Sequence, residues 1–107
     1  MSYNKLVRDK IPDIIKSNGE EPITRVLSEE EYKIELEKKL QEELNETLQV
    51  TGDDRIEELA DMLEVMTSLA ELEGKTLDDV IITRNEKKEA RGGFQKRLYL
   101  KGVKEDK

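Results

Sequence analysis

A four-residue repeat of apolar side chains constrains the fold of this chain more than any other feature. The repeat consists of Tyr32, Leu36, Leu40, Leu44 and Leu48. Residues four apart lie on one side of an α-helix, so the repeat predicts a long amphipathic helix. Ser28 and Glu31 form the pattern of a capping box and predict where this helix starts. The pair Thr51-Gly52 predicts its end.

Two more helices are predicted further along the chain. In the first, apolar residues recur at intervals of three and four, and it is separated from the preceding helix by about five residues. A connection that short makes the two helices antiparallel neighbours. The predicted caps are Asp54 with Glu57 and Thr76 with Asp79, and the predicted ends are Gly74 and Arg91.

The remaining segments are predicted to be short. Pro12 opens a short helix that stops at Asn18-Gly19. Residues 23–27 are rich in β-branched side chains and residues 94–100 alternate loosely, so each is predicted to be a strand and the two could pair. The expected fold is mainly α. It is an antiparallel helical bundle with a short two-stranded β element from 23–27 and 94–100.

Composition favours one domain over residues 1–107. Hydrophobic residues make up 35% of the chain and charged residues 42%, against about 25% charged in an average protein. Such a chain has thin apolar stripes, and a partner chain could complete its core. Disorder is the competing interpretation of this composition. The periodicity of the apolar residues argues against it.

Charge and residue types exclude several classes of function. The net charge of −7 disfavours binding to a nucleic acid polymer, which depends on Lys and Arg. The absence of Cys and His removes thiol nucleophiles, disulfides, the usual zinc sites and a His general base. No apolar run approaches the roughly 18 residues of a membrane span, and no apolar stretch follows the N-terminal charges. We therefore expect a cytoplasmic protein without a membrane partner.

Two pairs of acidic residues are the candidates for chemistry. Glu43 and Glu46 lie three apart on the first long helix, and Glu58 and Asp61 lie three apart on the second. Each pair therefore directs two carboxylates the same way. Both pairs lie near the turn between the helices, at matching heights. Four converging carboxylates suit Mg²⁺, which prefers oxygen ligands.

The alternative interpretation of these acids is a solvated helix face. At about 100° per residue, Glu58 and Asp61 fall within or at the border of the apolar arc of their helix, and Glu43 flanks Leu36. Glu46 lies further out. Carboxylates near an apolar interface are unfavourable unless they are paired or bind a metal. This position favours a divalent-metal site.

Two basic groups could bind phosphates. One is near the N-terminus, and the other shares a face of the last helix. A solvated face with acidic partners is the alternative for the second group. The candidate substrate-binding residues are Lys5, Arg8, Lys10, Arg84, Lys87, Lys88 and Arg91.

The sequence EELNE followed by EELADMLEV resembles the MazG-like, all-α nucleotide pyrophosphohydrolase motif, which has ExxE and then ExxD on consecutive helices. YNKLVRDKIPDII, LSEEEY and RGGFQKRLYL resemble a subfamily described as phosphoribosyl-ATP pyrophosphohydrolase-like or as house-cleaning nucleotide pyrophosphatases. The resemblance covers nearly the whole chain. The chain differs in its turn, since eleven residues between Glu46 and Glu58 are at the short end for the family.

The resemblance implies a Mg²⁺-dependent hydrolase, with Mn²⁺ as an alternative ion. It splits a nucleoside triphosphate into the monophosphate and pyrophosphate. The implied metal ligands are Glu43, Glu46, Glu58 and Asp61, and the members of the family are dimers or tetramers. Without His, a carboxylate must orient or deprotonate the attacking water, and both Glu42 and Glu43 are candidates.

The sequence is compatible with more than one substrate and role. A noncanonical triphosphate is favoured weakly over phosphoribosyl-ATP of histidine biosynthesis, because three Tyr and one Phe leave little for base stacking. A non-catalytic helical module that binds a nucleotide or a protein is the alternative to an enzyme. A purely structural helical oligomer is a third interpretation.

Overall fold

The computed structural model describes residues 4–105, and within them the chain is mainly helical. The predicted α class is confirmed. Backbone contacts divide the chain into two units, Met1–Leu77 and Asp78–Lys107, and the single domain stays a prediction. The helices are α1 Ile11–Ser17, α2 Glu29–Gln49, α3 Gly52–Leu72 and α4 Leu77–Arg91.

The start of α2 follows the predicted capping box. The Glu31 backbone N–H donates to Ser28 Oγ at 3.2 Å, and the Ser28 backbone N–H donates to Glu31 Oε1 at 3.1 Å. Two backbone donors that the helix itself leaves unpaired are satisfied in this way. Arg25 adds a bidentate ion pair with Glu31, at 3.1 and 2.6 Å. This part of the fold is therefore determined by neighbouring residues.

The turn between α2 and α3 is shorter than predicted. Only Val50 and Thr51 separate the helices, and α3 begins at Gly52 rather than after a cap at Asp54. Gly52 has φ +63°, a left-handed conformation that glycine adopts without steric cost. The carbonyls of Thr47 and Val50 at the end of α2 accept hydrogen bonds from Arg55 Nε, at 3.2 and 2.8 Å. A cation at this end also complements the helix dipole.

Contacts between α2 and α3 form the centre of the first unit. Leu36 on α2 and Val65 on α3 are the buried apolar side chains among the described residues. Glu43 and Thr47 of α2 are as deeply buried as Val65. The Thr47 hydroxyl donates to the Glu43 carbonyl oxygen at 2.7 Å, so its burial leaves no orphaned donor. The interface between the two helices is therefore partly polar and contains a carboxylate.

The predicted β element is wrong, because no strand forms in residues 4–105. In the segment 23–27, Ile23 and Val26 are almost fully exposed. In the segment 94–100, a turn interrupts the alternation, with the Arg97 N–H donating to the Phe94 carbonyl at 3.0 Å and Arg97 at φ 58°. A β-branched run forms a strand only where another strand pairs with its backbone, so local propensity was not sufficient here.

Two predicted helices at the ends of the chain are confirmed. Pro12 lies in the first turn of α1, and Gly19 follows the helix with φ +84°. In the second unit, α4 begins directly after Thr76 and ends at Arg91, as predicted. None of the helices in the described part of the chain is long and apolar enough to cross a lipid bilayer.

Candidate metal centre

Three carboxylates from α2 and α3 converge in the first unit. They are those of Glu43, Glu58 and Asp61, and each offers an oxygen within 4.8 Å of the others. The short turn brings the late part of α2 beside the early part of α3, which is why residues predicted to lie at matching heights meet. Three of the four acids named from the sequence therefore come together, and Glu46 is not among them.

Glu43 is the deepest member of the cluster. Glu43 is 6% exposed, whereas Glu58 and Asp61 are half-buried. A carboxylate on a solvated face would be exposed, so the burial of Glu43 contradicts that alternative for this residue. Burying a charge without a partner is strongly unfavourable. The position therefore requires either a proton or a cation.

The electrostatics of the cluster reflect this burial. Burial is the main cause that raises the pKa of Glu43 to about 7, and a hydrogen bond with Glu58 and the neighbouring negative charges add to it. Burial also raises the pKa of Glu58. A hydrogen bond from protonated Glu58 to Glu46 adds to this rise, and the hydrogen bond with Glu43 opposes it. Both carboxyl groups therefore keep a proton more tightly than an exposed glutamate does.

Hydrogen bonds within the cluster depend on a proton. When the carboxylates are ionised they are acceptors only. Glu43 Oε2 and Glu58 Oε2 are buried and have no hydrogen-bond partner within the described part of the chain. A cation bound to the cluster would give partners to buried carboxylate oxygens of this kind.

The other predicted members of the site occupy different positions. Glu46 is exposed and is not one of the three converging ligands, although it lies close enough to affect Glu43 and Glu58. Glu42 is exposed as well and lies about 100° around α2 from Glu43. The structure therefore groups one candidate base, Glu43, with the cluster and leaves Glu42 outside it.

Arg8 is the basic residue that reaches the cluster. Its Nη2 donates to Asp61 Oδ1 at 2.7 Å, and the two side chains are 58% and 43% exposed. Arg8 was predicted from the sequence to be a phosphate ligand. The sequence gives no indication of its ion pair with Asp61, because the two residues are 53 positions apart. Lys5 and Lys10 are exposed in the same unit. An exposed ion pair contributes roughly 0–1 kcal/mol, so Arg8 does not neutralise the buried acids.

The basic residues of α4 belong to the second unit. Arg84 donates to Asn85 Oδ1 from Nε at 3.2 Å and from Nη2 at 2.8 Å. Lys87, Lys88 and Arg91 are exposed along the same helix. Their role as phosphate ligands stays a prediction.

Comparisons with known proteins give a partial match. A segment of 42 residues, 39% of the chain, is 48% identical to a protein of Mycolicibacterium smegmatis that is described as uncharacterized. The match covers 43% of that protein, so the chain spans less than half of its length. No family model matches the chain, and no solved structure matches it. The comparisons therefore leave function to be argued from the site.

Proposed function

We propose that this protein is a divalent-cation-dependent nucleotide pyrophosphohydrolase, which splits a nucleoside triphosphate into a monophosphate and pyrophosphate. The observation that carries the proposal is the cluster of Glu43, Glu58 and Asp61, in which Glu43 Oε2 is buried and has no hydrogen-bond partner among the described residues. Membership of the MazG-like family, a helical bundle and a single domain over residues 1–107 are parts of the same proposal, and they rest on the motifs.

The ligand set fits a hard cation. Every donor is a carboxylate oxygen, and the chain contains no His or Cys that would favour zinc. Mg²⁺ binds oxygen at 2.0–2.1 Å, so opposite ligands of an octahedral site are about 4.2 Å apart. Neighbouring ligands are closer, at about 2.9 Å, so the three oxygens, which lie within 4.8 Å of one another, would draw together around the ion by rotation of their side chains. Mg²⁺ is the proposed ion, with Mn²⁺ as the alternative.

The residues of the cluster have separable roles in this proposal. Glu43, Glu58 and Asp61 would hold the cation, and Glu46, which lies close enough to affect the pKa of Glu43 and Glu58, would be the fourth ligand. When bound, the cation supplies charge neutralisation for the phosphates and lowers the pKa of a nearby water. Glu43 suits the role of orienting that water better than Glu42, because Glu43 lies in the cluster and Glu42 is exposed outside it.

The substrate proposal rests on charge and on what the chain lacks. Arg8 reaches the edge of the cluster, where its guanidinium could exchange Asp61 for a phosphate oxygen. Few aromatic side chains are available for stacking on a base, so base recognition would be loose. This favours a noncanonical nucleoside triphosphate over one specific substrate. Phosphoribosyl-ATP is the second substrate to be tested.

The test is pyrophosphate release from a panel of nucleoside triphosphates and from phosphoribosyl-ATP, with Mg²⁺ and then with excess EDTA. We expect release that requires Mg²⁺ and is lost in Glu58→Gln and Asp61→Asn. Glu57→Gln is the matched control, since Glu57 has the same chemistry and helix but is exposed. It should keep full activity.

Two results would contradict the proposal. One is release that persists in EDTA or in Glu58→Gln. The other is no release from any substrate by a folded protein that Mg²⁺ stabilises against heat. The second result would favour the non-catalytic nucleotide-binding module, because binding to the native state alone raises the melting temperature.

A further inference from the structure

Arg8 links the irregular segment before α1 to the metal centre. Its guanidinium donates to Asp61 Oδ1 at 2.7 Å. Its main chain is held in the turn that opens α1, because the Arg8 carbonyl accepts a hydrogen bond from the Ile11 N–H at 3.1 Å. The side chain itself is exposed, and exposed side chains exchange rotamers rapidly. Arg8 is therefore anchored at its backbone, while its guanidinium can change partner.

The ion pair with Arg8 neutralises the cluster only in part. Three carboxylates converge there, and the guanidinium contacts Asp61. The buried Oε2 atoms of Glu43 and Glu58 have no hydrogen-bond partner among the described residues. An exposed ion pair is weak, whereas a divalent cation has twice the charge of a guanidinium and contacts several oxygens at once. A cation bound by the cluster would therefore displace Arg8 from Asp61.

A displaced Arg8 is well placed to bind a phosphate. A guanidinium and a divalent cation on the same carboxylate are like charges close together, and they repel each other. The backbone hydrogen bond to Ile11 keeps Arg8 beside the cluster after its side chain has left Asp61. A phosphate attracted by the cation supplies an anion at that place. The planar guanidinium suits it, because it donates two parallel hydrogen bonds to phosphate oxygens.

The same exchange disfavours the binding of either ion alone. A phosphate without a cation meets three carboxylates, and the guanidinium that would bind it is engaged with Asp61. A cation without a phosphate must break that ion pair and leaves the charge of Arg8 beside it uncompensated. Each ion removes the obstacle to the other, which is a positive coupling between two ligands.

We propose that Arg8 exchanges Asp61 for a phosphate when the cation binds, so that the site binds a divalent cation and a phosphate together in preference to either one alone. This inference rests on the proposed function, because it takes the cluster as a cation site that acts on a phosphate substrate. Arg8 then selects the substrate in its cation-bound form.

The first test is calorimetric titration of the full-length protein with Mg²⁺, without and with excess inorganic phosphate. The ratio of the two dissociation constants for free Mg²⁺ is the coupling factor, and linkage makes it equal to the effect of Mg²⁺ on phosphate affinity. We expect a factor of about five or more in the wild type. In Arg8→Gln it should be several times smaller, with only the direct attraction between Mg²⁺ and phosphate left.

Arg25→Gln is the matched control. Arg25 also makes an exposed ion pair, at 2.6 Å from Glu31. That pair lies at the start of α2, about 18 Å along the helix from Glu43. The coupling factor of Arg25→Gln should equal that of the wild type.

A second measurement follows the Arg8 side chain directly. The NMR signal of its guanidinium, assigned by its absence in Arg8→Gln, should shift on addition of Mg²⁺ and shift again when phosphate is added to the Mg²⁺-bound protein. Phosphate in EDTA should leave it unchanged. A signal that does not respond to Mg²⁺, a wild-type coupling factor of one, or equal factors in wild type and Arg8→Gln would overturn the proposal.

Neither measurement requires turnover, so this inference and the proposed function can fail separately. A protein that shows the exchange but releases no pyrophosphate would contradict the proposed function and leave the exchange of Arg8 in place. Pyrophosphate release with an unchanged coupling factor in Arg8→Gln would contradict the exchange alone. A wild-type protein that binds no Mg²⁺ would overturn both.

Discussion

Polar and apolar side chains are placed on α3 the opposite way from an ordinary amphipathic helix. The side that packs against α2 carries Glu58 and Asp61 beside Val65, and the side that faces away carries Ile56, Leu59 and Leu63. In a chain stabilised only by its own core, the apolar residues would face inwards. In α3, two acids therefore face the neighbouring helix while several apolar side chains stay partly exposed.

The largest expected effect comes from removing an apolar side chain between α2 and α3. Leu36→Ala should lower the free energy of unfolding by about 2–5 kcal/mol, because Leu36 is 3% exposed and its loss leaves a cavity. Ile34→Ala, on the opposite side of α2, should change it by less than about 0.5 kcal/mol. Urea denaturation at one protein concentration measures both. Equal effects would mean that the two sides do not differ in packing.

Replacing the buried carboxylate should stabilise the cation-free protein at neutral and higher pH. The pKa of Glu43 is raised from 4.5 to about 7, so ionisation opposes folding. The contribution of Glu43 to the free energy of unfolding is fully present below its unfolded pKa. It is lost as pH rises through about 7, by up to about 3 kcal/mol. Glu58 acts in the same direction. Glu43→Gln should remove most of this loss.

Denaturation in EDTA across that pH range measures the effect. Glu31 has a pKa lowered to about 2, so it does not change the pH dependence of stability near pH 7. Its contribution to stability is lost only in stronger acid. Glu37→Gln, an exposed acid of the same helix, is the control and should keep the wild-type profile. A profile of Glu43→Gln that matched wild type would show that Glu43 does not carry a buried charge between α2 and α3.

A divalent cation should reverse this pH dependence. Ligands must lose their protons to bind, so stabilisation by Mg²⁺ should grow as pH rises through about 7. At one hundred times its dissociation constant the ion adds about 2.7 kcal/mol. Thermal melting with Mg²⁺ and with EDTA, at low and high pH, measures it. Equal shifts in wild type and in Asp61→Asn would place the ion elsewhere.

The smallest expected effect concerns Arg8, which brings a positive charge to the inward side. Because the ion pair with Asp61 is exposed, Arg8→Gln should cost less than about 1 kcal/mol of stability. It should also tighten Mg²⁺ binding by less than about tenfold, since the cation no longer competes with a guanidinium. Calorimetric titration measures the change, and Lys5→Gln is the control. Weaker binding would show that Arg8 positions Asp61 instead.

Features fixed by neighbouring residues could be predicted from the sequence. The capping box of Ser28 and Glu31 needs only a four-residue pattern, and Pro12 defines a helix start by its own geometry. The convergence of Glu43 with Glu58 follows from helical periodicity and a short turn. All of these depend on local geometry, which sequence spacing contains.

Features that depend on distant contacts could not be predicted. The segment 23–27 has strand-forming residues but lacks a strand to pair with in the described chain. The ion pair between Arg8 and Asp61 joins an irregular segment to a helix, and no periodicity connects them. The exact start of α3 was missed because Gly52 reads as a helix stop when its φ is unknown.

The two-residue turn between α2 and α3 has a consequence for how the chain folds. Residues 43 to 61 are close in sequence, so bringing the carboxylates together requires the closure of a very short loop, which has a low entropic cost. Helical hairpins of this kind form early and quickly. We therefore expect these like charges to meet near the beginning of folding, where a proton or a cation would neutralise them. We expect the folding rate, and not only the unfolding rate, to rise when the pH is lowered or Mg²⁺ is added.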